Sequence, residues 1–284
     1  MQHPISLLKE YILNPAKFFS NIDKNKGYKY IFIFTFLGIT LNAILLIIIA
    51  GIAPSNTLSN ILPPNTVSTW REAINQILGT IIVLSFVEEL TFRGAISNRN
   101  EIFKKIGLAF AIFFTLFNLQ SYSYTAQYFK GYFKFGFLFI AIAIALVVPL
   151  FIKIKTMESK RFIIIFTYLQ AFLFAFAQFN LSTFSTNFSY VLAPFVIFLQ
   201  LYIALAAGFL ASNIGFFKAV LFNILNNIIF KLFIFGISIK PFSTGNILFL
   251  IGGILLYLYC VYVFLDETMI VLKSKNNSKI NIHL

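Results

Sequence analysis

Histidine, cysteine and charge are all scarce in this chain. The only two histidines among its 284 residues, His3 and His283, lie near the two ends, so the body of the sequence holds no imidazole to ligate zinc or relay a proton. A lone cysteine, Cys260, cannot form an intrachain disulfide and rules out a cysteine-rich metal site; set in an apolar run, it reads as a small buried filler. Charged residues make up only 11% of the chain, too few to solvate a globular surface of this size.

Apolar residues fill the space left by these absences. They amount to 59% of the sequence, with 38 phenylalanines, and the mean hydropathy is +0.87, values of an integral membrane protein. Eight apolar runs approach the roughly 20 residues needed to cross a bilayer: near 30–52, 75–97, 106–122, 133–152, 162–180, 190–212, 217–238 and 246–266. The expected fold is therefore all-α, a polytopic bundle of eight spans. A Pro- and Ser-containing loop with Pro54, Pro63 and Pro64 separates the first two runs and reads as a surface or partly re-entrant excursion. No repeat period is evident. Residues 1–29 are expected to form a cytoplasmic or interfacial N-terminal segment, 30–266 the transmembrane domain and 267–284 a cytoplasmic tail. The first apolar stretch is broken by Lys9, Glu10 and Lys17 and lacks a small-residue cleavage site, so the N-terminus is expected to be retained, with Pro15 restarting an interfacial helix after Asn14.

The net charge of +13 would point to nucleic acid in a soluble domain, but here the basic residues sort by loop. Those of the N-terminal segment, of the Arg99–Lys105 and Lys153–Arg161 connections, of the tail, and Lys218 fall on one side. Arg71, Lys130, Lys134 and Lys240 fall on the other. This bias predicts that both termini are cytoplasmic, and nucleic acid is not an expected partner. Tyr122, Tyr124, Tyr128 and Tyr132 read as an interfacial aromatic belt.

Against this background the second run carries Glu88, Glu89 and Arg93. Each ionisable group in a membrane helix costs about 2.5–3.5 kcal/mol even on the lenient insertion scale, so such groups persist mainly where they pair or do chemistry. Glu89 and Arg93 are four apart with the acid first, the better order for a helical ion pair. Glu88 lies about 100° round the helix, so it is placed to face a cavity while its neighbour is tied to the arginine. Gly94 would admit a neighbouring helix closely. Lys231, also inside a run, is expected to snorkel or to meet a carbonyl.

The string Val87–Gly94, VEELTFRG, resembles the EExxxR signature of the CAAX-protease and bacteriocin-processing family of intramembrane glutamate proteases, the CPBP or ABI family. Phe114–Leu119, FTLFNL, resembles that family's FxxxH helix, and Leu221–Asn227, LFNILNN, its HxxxN helix; together the three stretches draw on residues from roughly 75 to 230. The resemblance implies an eight-helix membrane endopeptidase in which a glutamate activates water. Its site residues would be Glu88, Glu89, Arg93, Asn118, Asn223 and Asn227. The sequence departs from the family at both motif histidines, which are Asn118 and Asn223 here. By helix rise, Glu88, Asn118 and Asn223 lie roughly 14, 18 and 9 Å from the cytoplasmic ends of their spans, so they can meet in one layer.

An asparagine amide keeps a histidine's donor role but cannot relay a proton near pH 7. Three functions follow as expectations: hydrolysis of a membrane-associated peptide or lipidated tail by Glu88-activated water, with Asn118, Asn223 and Asn227 as donors; a non-catalytic pseudoprotease that binds such a peptide or a membrane partner; and, less favoured, a cation-coupled transporter. No cofactor is expected. The carboxylate and amide oxygens on offer suit a hard cation better than zinc, but no metal site is assigned. Membrane lipid is the expected environment, a bacterial inner membrane the expected location, and the oligomeric state is left open.

Overall fold

A computed structural model describes residues 3–17, 22, 27–52, 70–97, 99–122, 132–178, 187–238 and 244–280. Every regular element among them is helical. The chain forms α1 (Pro4–Leu13), α2 (Gly27–Ile52), α3 (Trp70–Asn75), a π-helical segment Gln76–Ile81 that runs into α4 (Ile82–Arg93), and a 3₁₀ turn Gly94–Ile96. Then come α5 (Glu101–Tyr122), α6 (Tyr132–Phe151), α7 (Ile154–Met157), α8 (Lys160–Gln178), α9 (Asn187–Phe209) with a second π-helical segment Leu210–Ile214, α10 (Phe216–Ser238) and α11 (Thr244–Ile280). Helices therefore occupy all eight apolar runs. The excursion through Pro54, Pro63 and Pro64, and Tyr124 and Tyr128 of the aromatic belt, lie outside the described residues, as does His283.

Four stretches among the described residues are long and apolar enough to cross a membrane: Gly27–Leu45, Pro194–Ile214, Phe216–Phe233 and Thr244–Ser274. The outward faces of these helices and of the apolar α6 need lipid. Phe139, Leu150 and Phe151 on α6, Phe198 on α9 and Leu255 on α11 are all largely exposed, which water would penalise at about 25 cal/mol per Å² of apolar surface. This is a membrane protein.

The principal core joins α1, α2, α4, α8, α9 and α10 through Tyr11, Phe34, Phe92, Phe174, Phe209 and Phe222, all buried. Its aromatic rings meet edge to face: Tyr11 with Phe209 at 5.6 Å between centroids, Phe34 with Phe209 at 5.7 Å. The apolar stripe of α1, expected at a membrane interface, is spent on protein instead. Leu7, Leu8 and Tyr11 are buried in this core. Pro15 does not restart a helix directly after Asn14: Pro15 and Ala16 form a turn in which the Lys17 N–H donates to the Asn14 carbonyl at 3.0 Å.

Two backbone features set the site helices. Gly215 has φ 152°, a conformation that side-chain-bearing residues rarely adopt, and it turns the chain from the second π-helical segment into α10. Gly94 and Gly107 bring α4 and α5 together without side chains between them. A Cβ on Gly94 would stand 2.7 Å from the Gly107 Cα, so the close approach expected at Gly94 is present. Farther along, α11 continues unbroken past residue 266 to Ile280. There Lys29 Nζ reaches Glu267 at 3.0 Å and Asp266 at 3.4 Å, and His3 Nε2 shares a 3.2 Å hydrogen bond with Thr268 Oγ1. His3 and the start of α2 are thus tied to the same region of α11. Cys260 is buried and free.

Candidate active site

The site begins with the last turns of α4. Arg93 Nη1 donates to Glu89 Oε1 at 2.9 Å, and both side chains are almost wholly buried. The i,i+4 spacing brings them together, and aromatic rings complete the surroundings: the guanidinium carbon lies 4.4 Å from the Phe174 ring centroid and 5.6 Å from that of Phe92. Phe92 in turn packs edge-on against Phe114 of α5 and Phe174 of α8. Glu89 Oε2 and Arg93 Nη2 are buried without a hydrogen bond among the described residues. Such a pair gains little by existing and much by staying intact, because removal of either partner strands a charge.

Glu88, one residue earlier, takes the other direction. It lines a cavity of about 320 Å³ together with Ile81, Leu84 and Ser85 of the same helix face, Asn223, Asn226, Asn227, Phe230 and Lys231 of α10, Phe174 of α8, Gln200 and Ile203 of α9, and Asn42 of α2. Two helix faces dominate because residues three and four apart share a side: 81, 84, 85 and 88 where the π-helical segment runs into α4, and 223, 226, 227, 230 and 231 on α10.

Within the cavity a chain of side-chain hydrogen bonds leads to the carboxylate. Asn223 Nδ2 donates to Glu88 Oε2 at 3.0 Å, Asn227 Nδ2 donates to Asn223 Oδ1 at 3.1 Å, and the same Nδ2 stands 3.4 Å from Ser85 Oγ. The direction suits an ionised carboxylate. An ionised carboxylate only accepts, so Asn223 must turn its amino group toward Glu88, which leaves its carbonyl oxygen to receive Asn227.

Of the six residues singled out in the sequence, Glu88, Asn223 and Asn227 are therefore brought together, and Glu89 and Arg93 form an adjacent ion pair that does not line the cavity. Asn118 lies on α5, but its side chain is outside the described residues. Asn227 differs from the expectation of a donor to substrate. Its amino group is directed at Asn223 and Ser85, so it orients the residue that touches Glu88. One N–H of Asn223 goes to Glu88, and a primary amide has a second.

Sequence reasoning passed over Ser85, Asn42 and Gln200 as site residues. Each is a lone polar side chain in an apolar run, a signal of a membrane-embedded site that also marks simple interhelical glue. Lys231, expected to snorkel or to meet a carbonyl, lines the cavity two turns beyond Asn223. No protein-family model, curated protein or solved structure matches this chain.

Proposed function

We propose that this protein is an intramembrane endopeptidase of the CPBP type, spanning a bacterial inner membrane eight times with both termini cytoplasmic, and that it hydrolyses a membrane-associated peptide or lipidated protein tail. The observation that carries this reading is Glu88 in the wall of a cavity, with Asn223 donating to its Oε2 at 3.0 Å. The pairing of His3 and Lys29 with the same part of α11 supports termini on a common side.

The chemistry follows from the side chains present. Glu88 takes a proton from water as the water oxygen bonds to the peptide carbonyl carbon. The carbonyl π electrons move to oxygen, and the second N–H of Asn223 serves as a donor for that charge. Collapse of the intermediate breaks the C–N bond, and the proton held by Glu88 passes to the leaving nitrogen, giving one carboxylate and one amine. Proton transfer of this kind contributes about 10²–10⁴-fold and one oxyanion donor about 10²–10³-fold. With carboxamides in place of imidazoles, the relay rests on Glu88 alone, and turnover is slow. Reconstituted in lipid, the chain should cut a membrane-anchored reporter peptide, and Glu88→Gln should not; equal cleavage by both would overturn the reading.

One observation favours a second reading, a pseudoprotease that binds the same peptide without cutting it. The side chain touching Glu88 is a carboxamide, which holds the carboxylate but cannot pass a proton. Asn118→His combined with Asn223→His then creates cleavage where the natural sequence has none. Cleavage by the natural sequence at a rate the double variant does not exceed would remove this reading.

A further inference from the structure

Among the described residues that line the cavity, only Glu88 and Lys231 carry charge. Both Asn223, which holds Glu88, and Lys231 lie on α10, eight residues apart, so they are separated by about 12 Å along the helix axis at a rise of 1.5 Å per residue. Asn226 and Asn227 lie between them on α10, and Asn42 of α2 and Gln200 of α9 line the same cavity. A primary amide carries donors and an acceptor, as a peptide backbone does; Asn227 directs its amino group at Asn223 and Ser85, and Asn42 donates to the Gly38 carbonyl. The wall thus combines a carboxylate, several amides and an ammonium. Lys231 is half-buried and contributes to the cavity wall.

We infer that Lys231 is the anion-recognition residue of this cavity: the peptide whose amide faces Glu88 and Asn223 carries a carboxylate about three to four residues away, where an extended chain advancing roughly 3.3–3.6 Å per residue reaches Lys231. The inference rests on the peptide-binding reading of the cavity and adds to it the polarity and charge of the ligand. The carboxylate is either a chain terminus or an acidic side chain.

The test is equilibrium binding to the full chain in phosphatidylcholine nanodiscs, where no lipid anion competes. The probes are three fluorescent hexapeptides of alanine and leucine: one with a free terminal carboxylate, one with a terminal carboxamide, and one with the carboxamide and an aspartate near that end. The free-acid or the aspartate peptide should bind at least about tenfold more tightly than the uncharged one, as a charge-assisted hydrogen bond provides, and which of the two gains identifies the source of the carboxylate. Lys231→Met should remove the preference, and Lys231→Arg should keep most of it; the arginine variant also serves if the methionine variant fails to fold. Equal binding of all three peptides to the natural chain overturns the role of Lys231 and leaves peptide binding standing. Absence of binding by every peptide overturns both. A preference that survives in Lys231→Met overturns the inference.

Discussion

Asn223 and Glu88 come from helices 135 residues apart in sequence and meet through a 3.0 Å hydrogen bond from amide nitrogen to carboxylate oxygen. That contact joins α4 to α10 at the cavity and sets the direction in which the Glu88 carboxylate points. Asn223→Ala should therefore reduce hydrolysis by about 10²–10³-fold, the value of one donor aimed at developing charge, while the folded bundle persists. Asn227→Ala should act more weakly and on turnover rather than substrate affinity, because Asn227 works through Asn223. Steady-state cleavage of a reporter peptide, resolved into kcat and KM, distinguishes the two.

The Glu89 and Arg93 pair should behave in the opposite way, as a stability element. Breaking a buried pair on one side typically costs about 3–5 kcal/mol, so Arg93→Met should lower the melting midpoint in detergent sharply. Arg93→Lys should recover only part of that loss, since a compact ammonium cannot both reach Glu89 and lie against the Phe174 ring as a planar guanidinium does. Thermal unfolding followed by circular dichroism checks both.

At the Gly94 and Gly107 crossing, a single methyl group should be costly. A Cβ on Gly107 would run into the Gly94 backbone, and one on Gly94 would meet the Gly107 Cα at 2.7 Å. Overpacking of this kind costs about 1–3 kcal/mol, and the neighbouring atoms here are backbone, which yields poorly. Gly107→Ala should lower the melting midpoint, whereas Gly136→Ala, with open space around the added carbon, should not.

Burial of Tyr11 predicts an alkaline weakness. Desolvation raises its hydroxyl above the ordinary value of 10.0, so the folded chain holds the neutral phenol where the unfolded chain would release the proton. A raised folded pKa gives stability that is fully present below pH about 10 and is lost as pH rises above it. The melting midpoint should fall less between pH 9 and 11 in Tyr11→Phe than in the natural chain.

Much of this arrangement was legible in the sequence because lipid imposes simple rules. Runs such as 217–238 and 246–266 have few ways to satisfy their backbone other than as helices, and α10 and α11 cover them. The Glu89–Arg93 pair and the divergence of Glu88 follow from helical angle alone. Long-range contacts were less legible. Asn42 and Gln200 join the cavity only because α2 and α9 pack beside α10, and nothing local to either residue announces it. The apolar face of α1 pointed to a membrane interface rather than to the core it joins, since Leu7, Leu8 and Tyr11 suit both. Hydrogen-bond direction was also hidden: that Asn227 serves Asn223 depends on side-chain positions that spacing does not encode.

Hydrolysis of a membrane-anchored reporter peptide in heavy-oxygen water, with the products read by mass spectrometry, tests the account most directly. The natural chain in lipid should yield a single new carboxylate carrying one heavy oxygen atom, and Glu88→Gln, equally folded, should yield none. Cleavage by both proteins at the same rate, or by neither, would contradict water activation by Glu88.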